Sequence, residues 1–153
     1  MRPMPDQDFA VRPAAAGDLS GLMTLYRHLN PADPLLDDIT AEERFSVILA
    51  QPGMTVLMGF ARDIAVATVT MIVVPNLTRN GASYALLENV VTHADHRRRG
   101  YAGAIISHAV TEAWKAGCYK VMLLTGSRNP ATLRFYDNCG FLQDKTGYQI
   151  RRP

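Results

Sequence analysis

Two cysteines in 153 residues, Cys118 and Cys139, are too few for a disulfide scaffold, and neither has the spacing of a metal site. Both read as small buried hydrophobes in a reducing compartment. Net charge is equally sparse. Sixteen Lys and Arg against 14 Asp and Glu leave a formal +2, and only Arg97-Arg98-Arg99 clusters. A general nucleic-acid binder carries a wider basic field, so DNA or RNA binding is not expected. Long apolar runs are missing too: the longest, Ile64 to Pro75, contains threonines and is too short to cross a bilayer. The opening Met1-Arg2-Pro3-Met4-Pro5-Asp6 is polar, with no secretory pattern behind it. The expectation is a cytoplasmic protein without a membrane partner. There is no Gly-x-x-x-x-Gly-Lys-Ser/Thr loop, and no Gly-x-Gly-x-x-Gly follows a strand, which argues against the common nucleotide-binding loops.

What is present is enough apolar residue for one core, 48% of the chain, in a length that suits a single domain over 1–153 with a frayed tail at 1–8. Phe9 to Arg12 reads as a short strand. Asp18 is placed to cap a helix carrying Leu19, Leu22, Met23 and Leu25-Tyr26. Thr40-Ala41-Glu42-Glu43 has the form of a capping box opening a second helix through Phe45, Val47, Ile48 and Leu49. Thr55–Ala61 and Ile64–Val74 flank Arg62-Asp63 as a hairpin, and Ser83–Thr92 is a further strand. A helix from about Gly100 to Lys115 presents Ile105, Ile106, Ala109, Val110, Ala113 and Trp114 as its buried stripe and ends at Gly117. Tyr119–Thr125 predicts a central strand, Asn129–Asn138 a short helix with Pro130 in its first turn, and Phe141–Arg151 a last strand or hairpin arm. This order predicts a mixed α/β sheet with helices on both faces and a parallel strand–helix–strand unit from Ser83 to Thr125.

One junction carries chemistry. A hydrophobic strand, Val90-Val91-Thr92, runs through His93 to Arg97-Arg98-Arg99-Gly100-Tyr101-Ala102-Gly103-Ala104 and straight into a helix. Unpaired N–H groups at a helix start, small residues that admit an anion, and arginine forks together suit a pyrophosphate. His93 and His96 lie close by, but without a third ligand they predict no metal site. His28 and His108 read as surface residues.

With these residues assembled, the chain resembles the GCN5-related N-acetyltransferase (GNAT) family from about Phe9 to Arg152. Arg97-Arg98-Arg99-Gly100-Tyr101-Ala102 fits its Arg/Gln-x-x-Gly-x-Gly/Ala loop. Asn129, Tyr136 and Gly140-Phe141 fit its second landmark. Within the family, Glu88-Asn89-Val90-Val91, Gly117-Cys118-Tyr119-Lys120 and Phe135 to Phe141 are similar to the glucosamine 6-phosphate N-acetyltransferases. Leu124-Thr125 stands where those enzymes carry an acidic residue, so the amino-sugar acceptor is not carried over.

The resemblance implies a mostly antiparallel sheet of six or seven strands with about four helices, acetyl-CoA as co-substrate, no metal, and a homodimer. It implies acetyl transfer to a primary amine of a small molecule by direct attack within a ternary complex. The alternatives are a protein N-terminal or lysine acetyltransferase, and a non-catalytic acyl-CoA sensor. Glu88, a carboxylate inside an apolar strand, is the candidate for deprotonating the amine, with partial burial raising its pKa. Tyr136 is the candidate acid for the departing thiolate. The resemblance places a strand bulge near Val90 and Val91, whose amides would hold the thioester carbonyl, assigns the phosphates to main-chain N–H groups of 99–104, and gives Asn129 to the pantetheine chain.

Overall fold

A computed structural model describes residues 4–153; positions 1–3 of the expected tail lie outside the described residues. The chain divides into a larger unit ending at Leu123 and a smaller one, Leu124–Pro153. The larger unit contains β1 (Phe9–Pro13), α1 (Leu19–Leu29), α2 (Asp38–Ala50), β2 (Met54–Ala61), β3 (Ile64–Val74), β4 (Tyr84–Thr92), α3 (Tyr101–Lys115) and β5 (Val121–Leu123). The smaller unit contains α4 (Pro130–Asn138).

The strands form one five-stranded sheet in the order β1-β2-β3-β4-β5. The first three pairings are antiparallel and β4–β5 is parallel. The hairpin turns where the sequence placed it: Arg62 and Asp63, at φ 49° and 65°, form the two-residue left-handed turn that matches strand twist. Both faces of the sheet are covered. Leu57 and Met58, neighbours that point to opposite faces, are 1% and 0% exposed. Met58 faces α1, where its methyl would lie 3.9 Å from a Cβ on Gly21. Gly59, back on the opposite face, leaves room for the Phe9 ring, which stacks on Tyr101 of α3 at 4.8 Å.

Several expectations are corrected. Among the described residues there are five strands, not six or seven: Phe141–Arg151 forms no strand, and alternation without a partner strand makes no ladder. Tyr148 and Ile150 there are almost fully exposed. The predicted central strand is reduced to Val121–Leu123 at the sheet's edge. α2 starts at Asp38, two residues before Thr40, because the Asp37 carboxylate accepts from Thr40 N–H and hydroxyl at 2.9 and 2.7 Å; Thr40 is the donor and not the cap. Asp18 precedes α1 but accepts from Ala15 N–H and Arg12 instead of capping the helix. Val47, Leu49 and Trp114 are exposed and fall outside the core. Asp6 of the supposed tail is tied down, its Oδ2 accepting from the Tyr101 hydroxyl at 2.7 Å.

α3 ends as its sequence requires. Gly117 adopts φ 78°, and the Cys118 and Gly117 amides donate back to the Ala113 and Trp114 carbonyls at 3.0 Å. This left-handed clasp satisfies the last carbonyls and buries Cys118.

Candidate active site

The site begins where the β3–β4 ladder slips. Thr70 pairs with Glu88, but Thr68 pairs with Val91, so β4 carries one residue more than β3 across that interval. Asn89 takes up the difference at φ 52°, in a backbone region that Asn tolerates better than most side chains. This is a β-bulge. On the other side, β5 pairs with β4 only over Ala85–Leu87. Asn89 and Val90 therefore fall outside both ladders. The amides expected at Val90 and Val91 thus sit at the bulge, with Val91 itself buried and paired.

Glu88 is the last residue before the slip. It is exposed, so the expected partial burial does not occur: covering by β5 stops one residue earlier, at Leu87. Its carboxylate faces solvent beside the bulge.

Past Thr92 the chain makes a single 3-10 turn, Ala94–His96, and enters the basic loop. Arg97 is extended, Arg98 is left-handed at φ 60° and Gly100 is left-handed at φ 82°. Arg97 Nε donates to the Thr92 carbonyl at 3.4 Å, tying the loop to the strand end. The first intrahelical bond of α3 runs from Ala104 N–H to the Gly100 carbonyl at 3.0 Å. The amides of Tyr101, Ala102 and Gly103 precede it and have no partner within the helix. A Cβ on Gly103 would meet nothing within 4 Å, so that side of the first turn is open. Tyr101 is 1% exposed. Its hydrogen bond to Asp6, then burial, raise its hydroxyl above the usual 10, with Arg99 opposing. A buried aromatic in the first position thus anchors the helix start, and the small Ala102, Gly103 and Ala104 leave its amides accessible.

In the smaller unit, the Asn129–Tyr136–Gly140–Phe141 pattern is one local device. Asn129 Oδ1 caps α4 by accepting from Ala131 N–H at 2.9 Å. Gly140, at φ 93°, lets Phe141 N–H reach back to the Tyr136 carbonyl at 3.2 Å, and the Phe141 ring packs edge-on against Tyr136 at 6.3 Å. The same clasp that ends α3 therefore fixes the Tyr136 backbone and ring. Burial, then the Cys139 side chain, push the Tyr136 phenol above its ordinary value, so it stays protonated through neutral pH.

Sequence reasoning missed one group beside the loop. His28, read as a surface residue, is half-buried, and its ring lies 4.1 Å from that of His93. His93 in turn meets His96 edge-on at 5.3 Å. Only the fold brings α1 to the end of β4, so no local signal could have shown this pairing. Among the described residues no cluster of His, Cys, Asp or Glu could hold a metal ion. A shallow cavity of about 310 Å³ lined by Ala10, Arg12, Asp18, Phe60 and Asp63 lies elsewhere, and Arg12 there is already engaged by Asp18 at 2.7 Å.

The bulged strand β4 leads along the chain into the open start of α3, and residues 22–141 match the acetyltransferase (GNAT) family. The chain belongs to that family. Membership makes it an acetyl-CoA-dependent N-acetyltransferase. The chain is 30% identical over 140 residues to glucosamine 6-phosphate N-acetyltransferase 1 of Oryza sativa subsp. japonica, covering 88% of this chain and 82% of the relative. It is 28% identical over 138 residues to the enzyme of that name from Trypanosoma brucei brucei, covering 88% and 89%. Among solved structures, a putative acetyltransferase from Agrobacterium tumefaciens str. C58 superposes with a TM-score of 0.91 at 50% identity, over 94% of this chain and 99% of that one.

The residues fit the co-substrate of a GNAT enzyme. Three amides without a helical partner, an open Gly103 and three arginines suit a pyrophosphate, and the bulge leaves Asn89 and Val90 outside the ladder on the strand that precedes the loop.

Proposed function

We propose that this protein acetylates the primary amine of a small molecule, with amino-sugar phosphates as the acceptor class to test first, by direct attack within a ternary complex. The observation that carries the reading is the bulge at Asn89–Val90 beside the end of the β4–β5 pairing. It sets backbone donors for a developing oxyanion on the strand that feeds the anion-binding helix start. When bound, acetyl-CoA supplies an activated acetyl group.

The chain's own residues meet the remaining demands. Main-chain N–H groups over Arg99–Gly103, with Arg97 and Arg98, hold the phosphates; the Ala104 N–H is already given to the Gly100 carbonyl. Asn129 keeps its Nδ2 hydrogens for the pantetheine chain while Oδ1 caps α4. An alkyl amine has a pKa near ~10 and is almost wholly protonated at neutral pH, so a base is needed; Glu88, exposed beside the bulge, takes the proton directly or through water. Tyr136, held neutral by burial, protonates the departing thiolate, whose conjugate acid lies near ~8.5. Direct attack is favoured over a covalent enzyme intermediate because Cys118 is buried and burial raises its thiol pKa, which disfavours the nucleophilic thiolate.

The amino-sugar phosphate choice rests on the two relatives named for glucosamine 6-phosphate. The test is thiol release from acetyl-CoA with glucosamine 6-phosphate, free glucosamine, amino acids and polyamines as acceptors. Saturable release with the phosphorylated sugar above the others supports the reading. Release with none of the small amines, but with a peptide N-terminus, would replace it.

A further inference from the structure

His93 sits between two other histidines and immediately before the anion-binding loop. Its ring lies 4.1 Å from His28, in the last turn of α1, and 5.3 Å from His96. His93 is also the cap of the Ala94–His96 turn: its Nδ1 accepts from the Asp95 N–H at 3.2 Å. An imidazole nitrogen that accepts carries no hydrogen, so neutral His93 holds its proton on Nε2. A second proton has only Nδ1 to bind. That would set an N–H against the Asp95 N–H and end the cap. The nearest alternative partner for the new donor is the Asp95 carboxylate, whose Oδ2 lies 3.9 Å away, so the ring or the turn must shift to meet it.

The turn leads directly into Arg97–Gly100, which the long Arg97 Nε bond ties to the Thr92 carbonyl at the strand end. The charged and titratable groups facing His93 are His28 from α1, and Asp95, His96 and Arg97 from its own segment, with Tyr101 of α3 behind His96 at 6.4 Å. The Val66 carbonyl of β3 holds the His93 amide at 2.9 Å. Burial, then His93 and Arg97, already hold His28 below its usual value.

We propose that His93 is a positioning residue for the anion-binding loop, and that its protonation releases the Ala94–His96 turn and weakens acetyl-CoA binding in mild acid. The proposal rests on the acetyl-CoA reading above. One more positive charge next to three arginines adds little attraction for phosphate, whereas loss of the cap disorders the segment that aims those arginines and the α3 amides. The effect is set by the cap, and one cap corresponds to about fivefold in an equilibrium constant.

The experiment is calorimetric titration with acetyl-CoA at about pH 8 and about pH 5.5, on the wild type, His93→Asn and His93→Phe. Asparagine keeps a side-chain acceptor for the cap and does not titrate. Phenylalanine keeps a ring against His28 but accepts nothing. The ligand's own ionisation is common to all three and cancels between them. The wild type is expected to lose about fivefold more affinity than His93→Asn on acidification, and His93→Phe to bind weakly at both pH values. An equal acid loss in wild type and His93→Asn overturns the proposal, as does wild-type affinity in His93→Phe at pH 8. If the wild type binds no acetyl-CoA at either pH, the functional reading falls instead. Imidazole ¹⁵N shifts then still judge the switch: Nδ1 bare at pH 8 and protonated with loss of the Asp95 amide signal position in acid supports it, and a protonated Nδ1 at pH 8 overturns it.

Discussion

Gly103 stands at the third position of α3, inside a helix, with nothing within 4 Å of an added Cβ. For folding alone this glycine is a poor choice. Gly103→Glu replaces the weakest helix former after proline with a good one, worth roughly 0.5–1 kcal/mol. A carboxylate in the first turn adds about 0.3–1 kcal/mol from the helix dipole. Together that is about 1 kcal/mol or slightly more, an increase in Tm of roughly 2–5 °C for a chain of this size. Binding should move the other way. A carboxylate about 5 Å from one phosphate charge repels it by roughly 1 kcal/mol at the dielectric of water and about 3 kcal/mol at an effective constant of 20. Acetyl-CoA affinity should therefore fall about five- to 150-fold. Gly103→Gln is the control, with the same bulk and no charge, and should recover most of the charge-dependent part. Thermal melts and calorimetric titration on the three proteins read both effects. If Gly103→Glu is stabilised and binds acetyl-CoA as tightly as the wild type, no phosphate sits at this helix start and the placement of the site is wrong.

Tyr136→Phe should lower kcat about a hundredfold with little change in acetyl-CoA affinity. Because burial raises the Tyr136 phenol above its ordinary value, the alkaline loss of wild-type rate that it causes should begin at a higher pH than an ordinary phenol would give; full activity in the variant across the pH range would remove Tyr136 as the acid. Gly53→Ala should destabilise by about 2 kcal/mol or more, since Gly53 has φ 78° and its Cβ would lie 2.6 Å from the Val73 carbonyl oxygen; an unchanged Tm would contradict this. The hydrogen bond from Arg12, ahead of that from Ala15, holds the Asp18 carboxyl below its usual 3.8. Its contribution to stability is thus complete above about pH 4 and is lost as the pH falls through the lower folded value, so Asp18→Asn should flatten that part of the acid denaturation curve.

Much of the frame was legible because its signals are local. Arg62-Asp63 between two apolar runs specified the hairpin, and Gly117 and Gly140 specified helix ends that turned out to share one hydrogen-bonding clasp. The basic loop before α3 was legible as an anion site from residue order alone. Errors came where two local solutions compete. Thr40 and Asp37 both suit a cap, and the carboxylate of Asp37 took it by accepting from both Thr40 donors. The helical stripe included Trp114, which is exposed, because periodicity marks an edge position no differently from a central one.

What the sequence could not supply depends on partners distant along the chain. The bulge is a mismatch between two strands, and Asn89 alone does not announce it. Glu88 looked buried because its strand neighbours are apolar, but its exposure is set by where β5 stops pairing. The stacking of His28 on His93 joins residues that only the packing of α1 against β4 brings together.

The most direct measurement of the central claim is calorimetric titration of the protein with acetyl-CoA beside ATP and NAD. Selective binding of acetyl-CoA, weakened in Gly103→Glu, is the predicted result. Binding of none of the three, or equal binding of all, would contradict an acetyl-CoA site at the start of α3.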